Sequence, residues 1–396
     1  MRGRGRVGSV LPAMGVAALL TLVTMAPACA QSVRVLIAEG KPAVRVSSAG
    51  GVTVADASGR YLLARTERAD GYRLVALGRT VQVRETGASA APVVVWPGRG
   101  AQVTVDGQSY RGRLEVHRVG PGLTVVNVVE LEDYLQGVLK DEIPTGWPLE
   151  ASKAVAVAAR TYAIYQMDQN AGTLFDLRAT TASQMYGGAG GEDPRTTAAV
   201  QATRGQILTF AGQPFPAFYH ACSGGNTEDA VDVFGVNFDM VVGVKDDFSL
   251  GCPYGLWVER LTAQQIERAL ARAGYSLGRV AGIQDLLRSR TGRILQLAVQ
   301  HSGGTLVLEG RRFREALGTE VIRSTDFQVR ADAGGFTFVG RGWGHGAGLS
   351  QWGAKEMADL AYQYREILHF YYPLAEISSL DGSRPGQGEP ARSATR

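Results

Sequence analysis

The chain has 396 residues, long enough for one large domain or two to three smaller ones; 45% are hydrophobic, as is ordinary for a globular protein, whereas 51 glycines is high and favours strands, turns and tight loops. Its net charge of +4 depends on three arginines at the extreme N-terminus; without Arg2, Arg4 and Arg6, 38 Lys and Arg face 37 Asp and Glu, a net of +1. So slight a surplus excludes a basic footprint for nucleic acid.

Behind the three arginines runs an apolar stretch from about Val10 to Met25, closed by Ala28-Cys29-Ala30. Residues 1–30 read as a secretory signal peptide cut before Gln31. The apolar run is short for a membrane span; a lipid anchor on Cys29 is the other alternative. From Ser32 to about Val129, short alternating runs such as VRVLIAEG, AVRVSS, APVVVWPG and LTVVNVV are punctuated by Gly, Pro, Asp and Asn, which predicts strands and hairpins.

At Leu131 the pattern changes. LEDYLQGVL predicts a short helix, and Pro148 opens a longer one to about Met167. Its many alanines predict close packing. Lys153 and Arg160 lie seven residues apart, so they share a helix face about two turns, or ~10 Å, from each other; they are either solvated or lining a cleft. Further helices are expected near Pro194–Thr203, in TAQQIERALARAG, near Ile283–Arg288 and in SQWGAKEMADLAYQYREILHFYY, with a strand at QILTF. The end of the chain is rich in Gly, Pro and Ser and reads as a disordered tail over 377–396. The predicted class is α+β.

Three segments combine polar, aromatic and glycine residues as cores do not: 130–147, 218–227 and 340–352. In the first, Glu142 precedes Ile143 and Pro144 in a break between helices, with Trp147 close in sequence. The residue before a proline leaves the helical region, so the turn is fixed. A carboxyl desolvated there would serve as a general acid near neutral pH, whereas Arg160 or Lys153 nearby would oppose the shift. In the second, Cys222 and Cys252 are the two cysteines left after cleavage at residue 30. In an exported chain such a pair is most simply a disulfide. Zinc would need His220 and a fourth ligand missing from the local sequence. In the third, GRGWGHGAGLSQWGA carries no acid but offers Trp343, His345, Ser350 and Gln351 to a polar ligand.

The stretches NVVELEDYLQGVLKDEIPTGWPLEASKAVAVAARTYAI, ATTASQMYGG, AFYHACSGGNTE and GRGWGHGAGLSQWGA, in that order, resemble the SpoIID/LytB family, named for stage II sporulation protein D and an amidase enhancer. The resemblance runs from about Val33 to Tyr372. It implies a β-rich part over 31–115 and a mixed helix/strand core over 116–376 around a glycan-binding cleft. The implied substrate is peptidoglycan, cut between MurNAc and GlcNAc by a lytic transglycosylase with a preference for strands stripped of stem peptides. The family's catalytic Glu falls on Glu142, with Ile143 in place of the usual Met. Lys153, Arg160, Ser350 and Gln351 would position the sugar, and Trp343 and His345 would wall the groove. Some members bind zinc near this Cys segment, but Cys222 stands one place early, so no metal and no cofactor is expected. The alternative is a non-catalytic peptidoglycan binder that stimulates a cell-wall amidase. Either way the protein is expected outside the cytoplasm.

Overall fold

A computed structural model describes residues 31–380. The signal-peptide reading, Cys29 and residues 381–396 of the expected tail lie outside the described residues.

Alternation sets the first hundred residues. Strands such as Ala43–Ser47 and Thr80–Val83 bury every second side chain, so each covers a core with one face only. They build two sheets. One has seven strands in the spatial order Leu177–Arg178, Ser32–Lys41, Gly122–Glu130, Arg113–Val119, Val93–Pro97, Val52–Asp56, Leu62–Thr66; the other has six, centred on Ala43–Ser47 and Tyr72–Leu77. Pairing is antiparallel apart from the short Leu177–Arg178 strand, which runs parallel to Ser32–Lys41. Gly122–Val129 is buried at every position. A continuous apolar run is what a central strand covered on both faces requires.

The helices share the core of these sheets. Helix α1 (Leu131–Glu142) leaves the end of the strand Gly122–Glu130 directly. Helix α2 (Leu149–Gln169) begins behind Pro148, which caps it, and is buried from Ala151 to Ile164 except at the half-buried Lys153 and Tyr162. Such a helix has no solvent stripe and belongs inside. α3 (Pro194–Ala202), α7 (Gln351–Asp359) and α8 (Tyr364–Tyr371) pack around it, and α4 (Ala230–Phe234) is a single short turn. A boundary at 115/116 therefore cuts the strand Arg113–Val119, which hydrogen-bonds on both sides within one sheet.

Residues 257–338 gather around a second core of Trp257, Leu261, Ile266, Phe313, Phe327 and Phe338. It is made by two three-stranded sheets and by α5 (Ala263–Arg272) and α6 (Gly310–Leu317). This module enters and leaves the body at one place: Cys252 is joined to Cys222, Trp343 exchanges backbone hydrogen bonds with Cys222, and Gly342 N–H donates to the Tyr254 carbonyl.

Two expectations are corrected. The segment 283–288 is not a helix but part of the strand Val280–Arg288, whose hairpin with Ile294–His301 supplies the partners its polar run could not find alone. The tail does not begin at 377, because Glu376–Ser379 pairs as an edge strand with Gln206–Phe210. The class is α+β.

Candidate active site

Helix α1 stops at Glu142 because Ile143 is extended (φ −140°, ψ 147°) ahead of Pro144. The carboxyl of this last helical residue faces a cavity of about 900 Å³. Met185 N–H donates to its Oε1 at 2.9 Å, Gln351 Nε2 donates to Oε2 at 3.4 Å, and the Tyr219 hydroxyl adds a third hydrogen bond. Tyr219 is itself fixed. Its hydroxyl accepts from Gln184 Nε2 at 2.9 Å, and Gln184 Oε1 accepts from the buried Tyr134 hydroxyl at 3.0 Å. Three separate parts of the chain, 184–185, 219 and 351, thus hold one carboxyl of α1. Burial pushes its pKa above the ordinary carboxylate value; the three donors pull down, Asp141 adds to the rise, and burial wins.

The desolvation has a different source from the one the sequence offered. Ile143 turns into the core and Trp147 packs edge-to-face on Trp352 at 5.0 Å; neither lines the cavity. Neither expected cation is there to oppose it.

The glycine-rich loop explains its own composition. It lies along 218–223 like a strand: Cys222 N–H donates to Trp343 O at 2.9 Å and Leu349 N–H to Phe218 O at 3.0 Å. Gly344 and Gly346 have φ of +118° and +95°, and a Cβ on them would sit 2.6 Å from His220 Cβ and 2.6 Å from Arg293 Nε. Only glycine permits that approach at that φ. Trp343 is left on the cavity wall, edge-to-face with Tyr254 at 4.5 Å. His345 also lines the cavity, close to Phe234 and His220, with Nδ1 accepting from Ala347 N–H at 3.1 Å. Burial, then Arg314, lowers its pKa to about 3, so it is neutral.

The other expected sugar contacts move away from the cavity. Arg160 is fully buried. Nε and Nη2 grip Glu132 at 2.9 and 2.8 Å, and the carbonyls of Gln206 and Val200 accept its remaining bonds at 3.1 and 3.2 Å. It is a structural ion pair with nothing left for a ligand. Lys153 pairs with Glu150 at 2.6 Å and lies 5.6 Å from the Tyr364 ring, outside the cavity lining. Ser350 is buried and caps α7, accepting from Gly353 N–H at 3.3 Å and from Ser223 N–H at 3.2 Å. Gln351, one residue on, does reach the cavity. Cys222 and Cys252 form a disulfide, so neither sulfur is available to a metal.

Tyr219 and Gln184 were missed as individuals, although both lie in quoted motifs, AFYHACSGGNTE and ATTASQMYGG. Arg293 and Arg314, which also line the cavity, carry no local signal at all.

Residues 120–210, which hold Glu142, α1, α2 and Gln184, match the family described as "Stage II sporulation protein". Residues 253–348 match a domain of unknown function. The chain is 33% identical over 275 residues to an uncharacterized protein of Brachyspira hyodysenteriae, covering 69% of this chain and 73% of that one. It is 31% identical over 271 residues to stage II sporulation protein D of Bacillus subtilis, covering 65% of this chain and 76% of that one. It is 29% identical over 290 residues to the amidase enhancer of Bacillus subtilis, 62% of this chain but only 40% of that longer protein.

Proposed function

Because this chain belongs to the stage II sporulation protein D family, we propose that it is an exported cell-wall enzyme, a lytic transglycosylase acting on peptidoglycan glycan strands. The observation that carries the reading is the Glu142 carboxyl: its pKa is raised by burial, three donors orient it, and it faces a cavity walled by Trp343 and Gln351.

In this mechanism the protonated Glu142 gives its proton to the glycosidic oxygen between MurNAc and GlcNAc. The C1–O bond breaks and positive charge develops at C1 of MurNAc. The carboxylate, held by Met185 N–H, Gln351 and Tyr219, then takes the proton of the C6 hydroxyl. The C6 oxygen closes on C1 to give a 1,6-anhydro ring. One carboxyl serves both steps, and no water is consumed. The raised pKa suits the first step and the three donors suit the second.

The test is product analysis by mass spectrometry on intact and peptide-free peptidoglycan. Wild type should release anhydro-ended fragments. Glu142→Gln, which keeps the size of the side chain but cannot exchange a proton, should lose ~10²–10⁴ in rate with its melting transition intact. Release at near wild-type rate by Glu142→Gln would overturn the mechanism. The likeness to an amidase enhancer favours a second reading, a non-catalytic peptidoglycan binder; no product from wild type on either substrate, with stimulation of a cell-wall amidase, is its signature.

A further inference from the structure

The cavity that Glu142 faces is also lined by the second module. Two of its arginines, Arg293 and Arg314, face no carboxylate within ion-pair distance among the described residues. Arg293 is 2% exposed. Its Nη2 donates to the carbonyls of Ser223 and Asn226 at 2.8 and 3.4 Å, but its buried Nη1 has no partner among the described residues. Arg314 uses Nε on the carbonyls of Ile322 and Arg323 at 3.0 and 3.1 Å. Beside them His220, 5% exposed, donates from Nδ1 to the Ala347 carbonyl at 3.1 Å. Its Nε2 is therefore an acceptor, also buried and also without a partner.

An unmet buried guanidinium nitrogen is costly, and a native structure keeps one where a ligand completes it. Of the acids that act on them, Glu228 accepts from the Ser289 and Thr291 hydroxyls, Glu315 pairs with Arg311 and Arg312, and Asp326 pairs with Arg341, while Glu320 is exposed to solvent and makes no ion pair with Arg314. Burial, then Arg293, brings Arg314 down to about 10, so it still carries its charge at neutral pH. After burial, His345, Arg293 and Arg314 each disfavour charge on His220, and the two charged arginines would repel a metal cation in the same way. The glycine loop presses its backbone on both Arg293 and His220, which holds the group in place.

We infer that Arg293 and Arg314, with His220 Nε2 accepting from a sugar hydroxyl, form a subsite for a carboxylate-bearing sugar in the cavity that Glu142 faces. The inference rests on the glycan reading above. On such a strand the lactyl group of a muramyl residue is a free carboxylate only when its stem peptide is gone; with the peptide attached it is a neutral amide. Guanidinium forks match a carboxylate and lose most of that match to an amide. Selection for peptide-free strands would then sit in the second module, outside the segment 120–210.

The test uses the Glu142→Gln protein, so that the ligand is not consumed, and isothermal titration with a peptide-free (GlcNAc–MurNAc)₂ tetrasaccharide and with its lactyl carboxamide counterpart. The acid should bind about tenfold or more tightly than the amide, the difference expected of a charge-assisted hydrogen bond. Arg314→Gln in the same background should bring the two within about twofold, and Arg314→Lys should restore part of the preference; melting curves check each fold. Arg314 is chosen because it is less enclosed than Arg293. Equal affinities in the parent, a preference that survives Arg314→Gln, or acetate binding as tightly as the tetrasaccharide each overturns the inference. Cleavage is scored separately on wild type. Anhydro products without an acid preference would sink the subsite and leave the transglycosylase; an acid preference without products would sink the catalytic reading and leave the subsite.

Discussion

Tyr219→Phe isolates the orienting network from the proton carrier. The substitution keeps the ring on the cavity wall and removes one hydroxyl, which bonds Glu142 and accepts from Gln184 Nε2 at 2.9 Å. Gln184 is not stranded, since its amide also donates to the Ala159 carbonyl at 3.2 Å. A hydrogen bond to a charged group contributes about 1.5–3 kcal/mol, and 1.36 kcal/mol corresponds to one pH unit of titration. The lost donor stabilised the carboxylate, so its removal favours the acid form and moves the titration of Glu142 upward by about 1–2 pH units. In the proposed mechanism Glu142 starts protonated, and activity is lost as pH rises through its pKa. The basic limb of the kcat/KM profile must therefore move to higher pH by that amount. The assay is the release rate of anhydro-ended fragments from peptide-free glycan across a pH series. A limb that stays where it was, or moves to lower pH, in a variant that melts like wild type would refute the network as a tuner of Glu142.

Two other expectations concern parts of the fold that feed the site. Arg160→Met leaves Glu132 buried and charged without its partner, and should cost ~3–5 kcal/mol in a denaturant titration; the double change Arg160→Met with Glu132→Leu should recover most of it, and an unshifted midpoint for the single variant would contradict the structural role. Gly346→Ala puts a methyl 2.6 Å from Arg293 Nε at a φ of +95°, so it should lower the melting temperature and erase discrimination between acid and amide glycans, whereas Gly334→Ala, whose nearest neighbour would be 3.7 Å away, should do neither.

What could be read from the sequence divides along local and distant causes. The break at Glu142 is local: Pro144 forbids helix just before it, and the helix does end there. The alternating valines that make the two sheets are local too. Arg160 shows the opposite case. Spacing put it on a face with Lys153, but the partner that decides its role, Glu132, lies 28 residues away on another helix. Ser350 and Gln351 are adjacent in the sequence, yet one caps a helix inside the protein and the other reaches the carboxyl; the turn at the start of α7 separates them. The strand Val280–Arg288 carries bulges and a mostly exposed face, so its pattern never alternated cleanly enough to be told from a helix. The second module's arginines were invisible because nothing in their neighbourhood indicates that they meet a wall built by residues more than fifty positions earlier.

The entry and exit of that second module side by side at Cys222 have a consequence for how this protein can diverge. A part whose chain enters and leaves beside the same residue is exchangeable as a unit once its contacts with 223–229, made by Ser289, Arg290, Thr291 and Arg293, are matched. Here the exchangeable unit brings the arginine wall, while α1, Gln184 and Tyr219 remain with the body. On the proposed reading, the group that breaks the bond and the groups that choose the strand would lie on different pieces of chain. A descendant that trades one module for another can adopt a differently decorated wall polymer without relearning how to move a proton.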